Sequence, residues 1–164
     1  SGAQIIHPKT IKPLQQKNIP LYVRPFGNKH ASGSVITGDV ERAYEPIMIH
    51  KENQVLLKLH SRDLSFVLEE KFARLFTTFD SHRIRINLVH NSAVNLYLAI
   101  DASWHIDEAV MELQAEGFDV EKMEDLEMVT IRYYTEELYQ QYAMDKRIII
   151  KQTTPHSLRF VRTK

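Results

Sequence analysis

From residue 55 onward the apolar positions of this chain switch between two rhythms. Val55-Leu56-Leu57-Lys58-Leu59 is a strand-like run. Leu64, Leu68, Phe72, Leu75, Phe76 and Phe79 then recur at three- and four-residue spacing, forming one stripe of an amphipathic helix. Ile84, Ile86 and Leu88 alternate with Arg85 and Asn87, a period of two. After the polar pair Asn91-Ser92 the alternation resumes at Val94, Leu96, Leu98 and Ile100, which predicts a hairpin. Ile106, Ala109, Val110 and Leu113 make a second helical stripe, with Ser103 suited to its N-cap and Gly117 to the position just past its end. Phe118 and Val120, alternating with Asp119 and Glu121, close the set as a strand. The order strand, helix, strand, strand, helix, strand is the ferredoxin-like βαββαβ arrangement, an antiparallel sheet with both helices on one face.

A second, shorter copy follows. Met128 to Tyr134 reads as a strand, and Thr135 to Met144 as a short helix carrying Leu138 and Tyr142. Arg147 to Gln152 and Ser157 to Arg162 read as a hairpin around Thr153-Thr154-Pro155-His156. This unit lacks a second helix and a fourth strand, so its sheet needs a strand from elsewhere. Ile47-Met48-Ile49-His50-Lys51, stranded ahead of the first module, is the expected donor. Upstream lie a helix in which Pro8 suits the first turn and Pro13 bends or shortens the rest, then the short run Ile19 to Val23. The turn-rich stretch Gly27 to Ser34, the run Val35-Ile36-Thr37 and a charged linker ending at Pro46 come next. With no initiator methionine and no opening strand, this beginning reads as the end of a larger domain. The expected division is 1–45, the tail of that domain with its linker; 46–53, the donated strand; 54–126, the first module; and 127–164, the abbreviated second. The fold class is α+β, with tandem modules of antiparallel sheet and helices on one face.

Composition narrows the function. Of 164 residues 43% are hydrophobic and 26% charged, as in ordinary globular proteins. Twenty-one basic and 21 acidic residues cancel, which removes the field that would draw nucleic acid or an anionic membrane surface. The absence of cysteine excludes disulfides, thiolate metal sites and thiol catalysis, and fits a cytoplasmic setting. No apolar run approaches the ~18 residues that a membrane-spanning helix needs. The eight histidines (7, 30, 50, 60, 82, 90, 105 and 156) show no metal-ligand spacing, so no metal site is predicted. Arg147, Lys151, Arg159, Arg162 and Lys164 make the last strands basic, read as a solvated face or a surface docking on acidic groups. An RNA-binding sheet would need stacking aromatics on its central strands; the first module's strands carry only Tyr97 and Phe118. Trp104, ahead of the second helix, is read as a packing anchor.

Particular residues then carry a resemblance. Gly2-Ala3-Gln4-Ile5-Ile6-His7-Pro8-Lys9-Thr10, with Asn18 to Arg24 and Gly33-Ser34-Val35-Ile36-Thr37, resembles the end of the aspartokinase catalytic domain. Residues 46–164, with Asn91-Ser92-Ala93-Val94-Asn95-Leu96, resemble the paired ACT modules that follow it, the first nested in the second. The resemblance implies a parent that uses ATP with Mg to phosphorylate the β-carboxylate of aspartate, opening lysine, threonine and methionine synthesis. It places the catalytic groups upstream of this chain. The five glycines here form no phosphate-cradling loop, and Gln4 is a remnant near the nucleotide where several members have lysine. Catalytic residues and a cofactor of its own are therefore not expected in this chain.

The resemblance also implies an amino-acid effector pocket beside the first module's first helix and second strand, with the same chain's catalytic domain and a second copy as partners. Carried over by position, the pocket involves Leu64, Ser65, Glu70, Asn87, Ser92, Ala93 and Val94. Glu70 stands where a glycine is usual, Asn87 where an aspartate is, and Ala93 where a glutamate is. Glu69 and Glu70 also have a simpler reading, as first-turn charges complementing a helix dipole. Three readings stand side by side: a dimeric regulatory region sensing lysine, threonine or methionine; a scaffold for dimerisation alone, with a degenerate pocket; and a free-standing amino-acid-binding regulator.

Overall fold

The structure, a computed structural model, describes residues 6–28, 30–38, 45–61, 69–92 and 94–164, without the side chains of 8, 61, 69 and 70. The chain divides into two units, Ser1–Glu45 and Pro46–Lys164. In the first, α1 (Pro8–Gln16) is capped by His7, whose Nδ1 accepts from the Lys9 N–H at 3.2 Å. Pro13 falls inside α1, which ends three residues later. Strands β1 (Leu21–Val23) and β2 (Ser34–Ile36) pair antiparallel, Leu21 opposite Ile36. Gly33, at φ +68, precedes β2; a Cβ there would stand 2.3 Å from the Val23 carbonyl oxygen, so only glycine fits.

The second unit is built on strands β3 (Ile47–Ser61), β4 (Ile86–Asn91), β5 (Asn95–Asp101), β6 (Phe118–Arg132), β7 (Ile148–Thr154) and β8 (Ser157–Thr163). Its helices are α2 (described as Glu69–Ser81), α3 (Ile106–Ala115) and α4 (Glu136–Ala143). All six strands join one antiparallel sheet in the order β4-β5-β3-β6-β8-β7. The two central strands are 15 residues long. Residues that the chain's pattern reads as separate strands, 47–51 with 55–59 and 118–121 with 128–132, are therefore continuous. Where they join, the register shifts between Lys51 and Leu56. Asn53 (φ 51) and Asp125 (φ 57) both adopt the left-handed conformation that asparagine and aspartate tolerate best. Lys164 fastens the join, its N–H reaching the Asp125 carbonyl at 3.3 Å and its Nζ the Asn53 Oδ1 at 2.8 Å.

Antiparallel partners share a face, so the faces can be followed strand by strand. Val55, Leu57, Leu59, Leu96, Leu98, Ile100 and Phe118 lie under α2 and α3, packed on Leu75, Phe79, Ile106, Ala109 and Leu113. Val129, Ile131, Leu158 and Phe160 lie under α4, against Leu138, Tyr139 and Tyr142. Leu56, Leu88, Ala99, Leu126, Met128, Ile150 and Val161 form a further cluster on the opposite face. Leu88 belongs to one edge strand and Ile150 to the other. In a flat sheet those strands would stand roughly 24 Å apart, five spacings of ~4.8 Å. Here Gln152 of β7 donates to the Val89 carbonyl of β4 at 2.8 Å, and Arg159 of β8 to the Asn87 carbonyl at 3.1 Å. The sheet is folded over on itself about the join, enclosing that cluster, with all three helices outside. Each core leucine or isoleucine so enclosed contributes about 1.5–3 kcal/mol.

Several expectations change. Leu88 does not share a face with Ile84 and Ile86, because a register shift between Ile86 and Leu88 at Asn87 turns it to the enclosed side. Phe76 and Val94 belong to their stripes by spacing but are 43% and 48% exposed. The N-cap position of α3 is His105; Ser103 instead accepts the His105 N–H at 3.3 Å, before the helix begins. Gly117, at φ +94, follows α3 as expected, and Thr135 caps α4 by accepting the Leu138 N–H. Trp104 is 80% exposed and lies on His105, ring centroids 3.4 Å apart, so it anchors no core. Of the basic residues of the last strands, Arg147, Lys151 and Lys164 are exposed, as a solvated face would have them, while Arg159 and Arg162 are half-buried and engaged within the unit. Arg162 pairs with Glu127, Arg159 bonds Thr130 and Asn87, and Lys151 lies 3.7 Å from the centre of the Tyr139 ring. Phe118 is buried under the helices, and Tyr97 packs against the enclosed cluster, so neither is free to stack a base. Among the described residues no helix is long and apolar enough to cross a membrane.

Candidate effector site

Leu64, Ser65, Ala93 and Gln4 lie outside the described residues; Glu70 is placed in α2 by its backbone alone. The remaining members of the expected pocket are Asn87, Ser92 and Val94, at two ends of β4. Ser92 and Val94 form the β4–β5 turn. The Ser92 N–H and hydroxyl both reach the Asn95 carbonyl, at 2.8 and 3.1 Å, and the Asn95 N–H meets the Ser92 hydroxyl at 3.2 Å. The Val94 carbonyl meets His60 Nδ1 at 3.0 Å. Asn87 lies five residues back along β4, roughly 16 Å at ~3.3 Å per residue. Turn and asparagine are therefore not brought together.

Asn87 instead holds the middle of a polar network on the enclosed side of the sheet. Its Oδ1 accepts from Lys51 Nζ at 2.7 Å, and its Nδ2 donates to Gln54 Oε1 at 2.8 Å and Asp101 Oδ1 at 2.6 Å. Gln54, only 1% exposed, donates in turn to Asp101 at 2.8 Å. A buried amide with every group partnered is stable; one left open costs about 1–3 kcal/mol. Gln54 and Asp101 were not among the expected site residues. Their only signal is a polar residue at each end of an apolar run, Gln54 before Val55–Leu57 and Asp101 after Leu96–Ile100.

The network sets the protonation of its acid. Burial alone would push the Asp101 carboxyl up, but hydrogen bonds from Gln54 and Asn87 and the Lys51 charge outweigh it, holding it below its ordinary value of 3.8. Glu127 behaves alike. Burial raises it, while Arg162 and His50 together bring it below its ordinary 4.5. Both carboxyls bind protons less tightly in the fold than in the unfolded chain. Their contribution to stability is full above the unfolded values and is lost as pH falls through the folded ones. The expected result is a urea midpoint level between about pH 7 and pH 5 that drops clearly by about pH 3. An unchanged midpoint at the acid end would contradict these pairings.

A second cluster joins α2 to α3. His82, in the turn after α2, bonds Glu112 through Nε2 at 2.9 Å, and Thr78 donates to the other oxygen of that carboxylate at 2.9 Å. The hydrogen bonds from His82 and Thr78 hold the Glu112 carboxyl below its usual range. Glu108 lies 3.8 Å from His82 Nδ1 and 3.6 Å from His105 Nδ1. The fold thus brings together two histidines that no local spacing connects.

No family model matches the chain. Among curated proteins it is 28% identical over 136 residues to the chloroplastic aspartokinase 3 of Arabidopsis thaliana, an alignment covering 79% of this chain and 23% of that protein. Its fold matches E. coli aspartokinase III, solved with lysine and aspartate in the T-state, at a TM-score of 0.72 and 24% identity over 98% of this chain and 39% of that one. It also matches a C-terminal regulatory domain of aspartate kinase from Porphyromonas gingivalis, at 0.58 and 19% identity, over 73% of this chain and 87% of that domain. This chain therefore spans less than a quarter of the curated Arabidopsis relative. Its relatives by sequence are aspartokinases, and its fold is shared with E. coli aspartokinase III and with that regulatory domain.

Proposed function

We propose that this chain acts as the regulatory and dimerisation region of an aspartokinase. The observation that carries the reading is the pairing of two ACT-like halves through shared central strands, in a chain whose sequence relatives are aspartokinases. The parent enzyme would transfer the γ-phosphoryl of ATP to aspartate, giving 4-phospho-L-aspartate. ATP and Mg2+ would be bound by the parent's catalytic domain.

Dimerisation is supported by apolar side chains left outside the fold, Phe76 on α2 and Val89 on the edge strand β4, 43% and 39% exposed. An amino-acid effector would act by binding one arrangement of such a dimer more tightly than another. The scaffold reading is favoured by a separate observation: the Asn87 amide is already engaged by Lys51, Gln54 and Asp101. Light scattering together with calorimetric titration against lysine, threonine and methionine separates the readings. A dimer that gives saturable heat with one of the three is the expected result. A dimer silent to all three at about 1 mM ligand, where only binding weaker than about 4 kcal/mol escapes, leaves the scaffold. A monomer at high protein concentration removes both.

A further inference from the structure

We propose that His82, His105 and Glu108 form a binding site for a divalent transition-metal ion, clamping the end of α2 to the start of α3. The inference is independent of any amino-acid effector. One ligand atom from each of His82, His105 and Glu108 lies within 4.8 Å of the others, and a Glu108 oxygen stands 3.8 Å from His82 Nδ1 and 3.6 Å from His105 Nδ1. Ligand atoms about 2.0–2.1 Å from a tetrahedral ion stand roughly 3.3 Å apart. Small side-chain rotations therefore close the set. The site is composed as a zinc-like centre is, with two imidazoles, one carboxylate and an open position; such ligands select Zn2+, Ni2+, Co2+ or Cu2+ over Mg2+ and Ca2+.

The surroundings of His82 supply the second argument. A metal-binding histidine nearly always gives its other ring N–H to a carboxylate or carbonyl, which fixes the tautomer and aims the lone pair. Glu112 occupies that place, 2.9 Å from His82 Nε2, and is itself held at 2.9 Å by Thr78, which is 2% exposed. With the proton on Nε2, the lone pair of Nδ1 points toward Glu108. The backbone is fixed as well: the His82 N–H bonds the Thr78 carbonyl, and Arg83 turns the chain at φ 54. The open position faces a recess of about 430 Å³ lined by Ser81, Arg83 and Trp104 besides the ligands. The recess leaves room for a water or a small anion as fourth ligand. The carboxylates of Glu108 and Glu112 bring negative charge to the cluster for a cation.

Trp104 is the only tryptophan of the chain, and its ring lies on His105. Its fluorescence therefore reports on the site directly. Titration of the full, untagged chain with Ni2+ and with Zn2+ should give a saturable, one-to-one change in Trp104 emission, matched by calorimetry. His105→Gln and Glu108→Gln should each weaken binding at least about tenfold, and Glu112→Gln about tenfold through loss of His82 orientation. His90→Gln, outside the cluster, should leave the affinity unchanged. Thermal melts monitored by circular dichroism establish that each variant is folded; Glu108 is 57% exposed, so that variant tests ligation without disturbing the core. Failure to saturate at about 1 mM metal, or undiminished affinity in both His105→Gln and Glu108→Gln, overturns the proposal.

Discussion

Replacing Phe160 with alanine should destabilise the Pro46–Lys164 unit by about 3–5 kcal/mol, the usual range for a fully enclosed phenylalanine. Phe160 has no exposed surface and lies on β8 among Val129, Ile131 and Leu158. Above it the Tyr139 ring meets it edge-on, centroids 5.6 Å apart at 78°. Helix α4 has eight residues and none fully buried; its half-buried Leu138, Tyr139 and Tyr142 rest on the cluster to which Phe160 belongs, and Tyr139 meets the ring itself. Removing the ring opens a cavity and takes away part of the surface on which the helix rests. Phe160→Leu, which keeps most of the volume, should cost less than about 1.5 kcal/mol. Urea unfolding followed by far-ultraviolet circular dichroism measures both. A loss below about 1 kcal/mol for the alanine variant would mean that α4 does not pack there as described.

Arg162→Met should cost about 2–3 kcal/mol, somewhat below the 3–5 typical of breaking a fully buried ion pair. Arg162 and Glu127 are 11% and 13% exposed, and the guanidinium reaches one carboxylate oxygen through both Nε and Nη2, at 3.1 and 3.0 Å. Its Nη1 donates to the Tyr142 carbonyl at the end of α4. The methionine stem keeps the packing but leaves the largely enclosed Glu127 with His50, at 3.3 Å, as its remaining charged partner among the described residues. The double variant Arg162→Met/Glu127→Gln should recover part of the loss, because the stranded charge is gone. Denaturation of the two singles and the double, as a mutant cycle, reads the coupling. Strict additivity would mean that the pair makes no net contribution in this setting.

How much of this could be read along the chain depends on whether the determinant is local. Leu96, Leu98 and Ile100 on β5, and Ile106, Ala109 and Leu113 on α3, are buried as their spacing demands, because neither element departs from its regular period. Leu88 escaped the same reading because a bulge at Asn87 shifts the period by one within a six-residue strand. The long central strands escaped because Asn53 and Asp125, which look like turn residues, instead bend strands that continue. In the expected effector site, the side-chain types at 87 and 92 were visible. What Asn87 touches was not, since Lys51, Gln54 and Asp101 come from other strands. His82 and His105 meet only because α2 and α3 lie side by side on the sheet.

The two strands shared by both halves have a consequence for the order of synthesis. Residues 47–51 pair with 128–132, so the first part of β3 has no partner until β6 is made. At ~5–20 residues per second, the 85 residues added between position 47 and position 132 take roughly 4–17 s to emerge. For that interval Ile47, Met48 and Ile49 form an apolar strand waiting on the ribosome's schedule, followed by His50 and Lys51, whose polarity discourages pairing with a neighbouring chain. Neither half has a complete sheet before β6 arrives, so neither core of the Pro46–Lys164 unit can close until that strand is made.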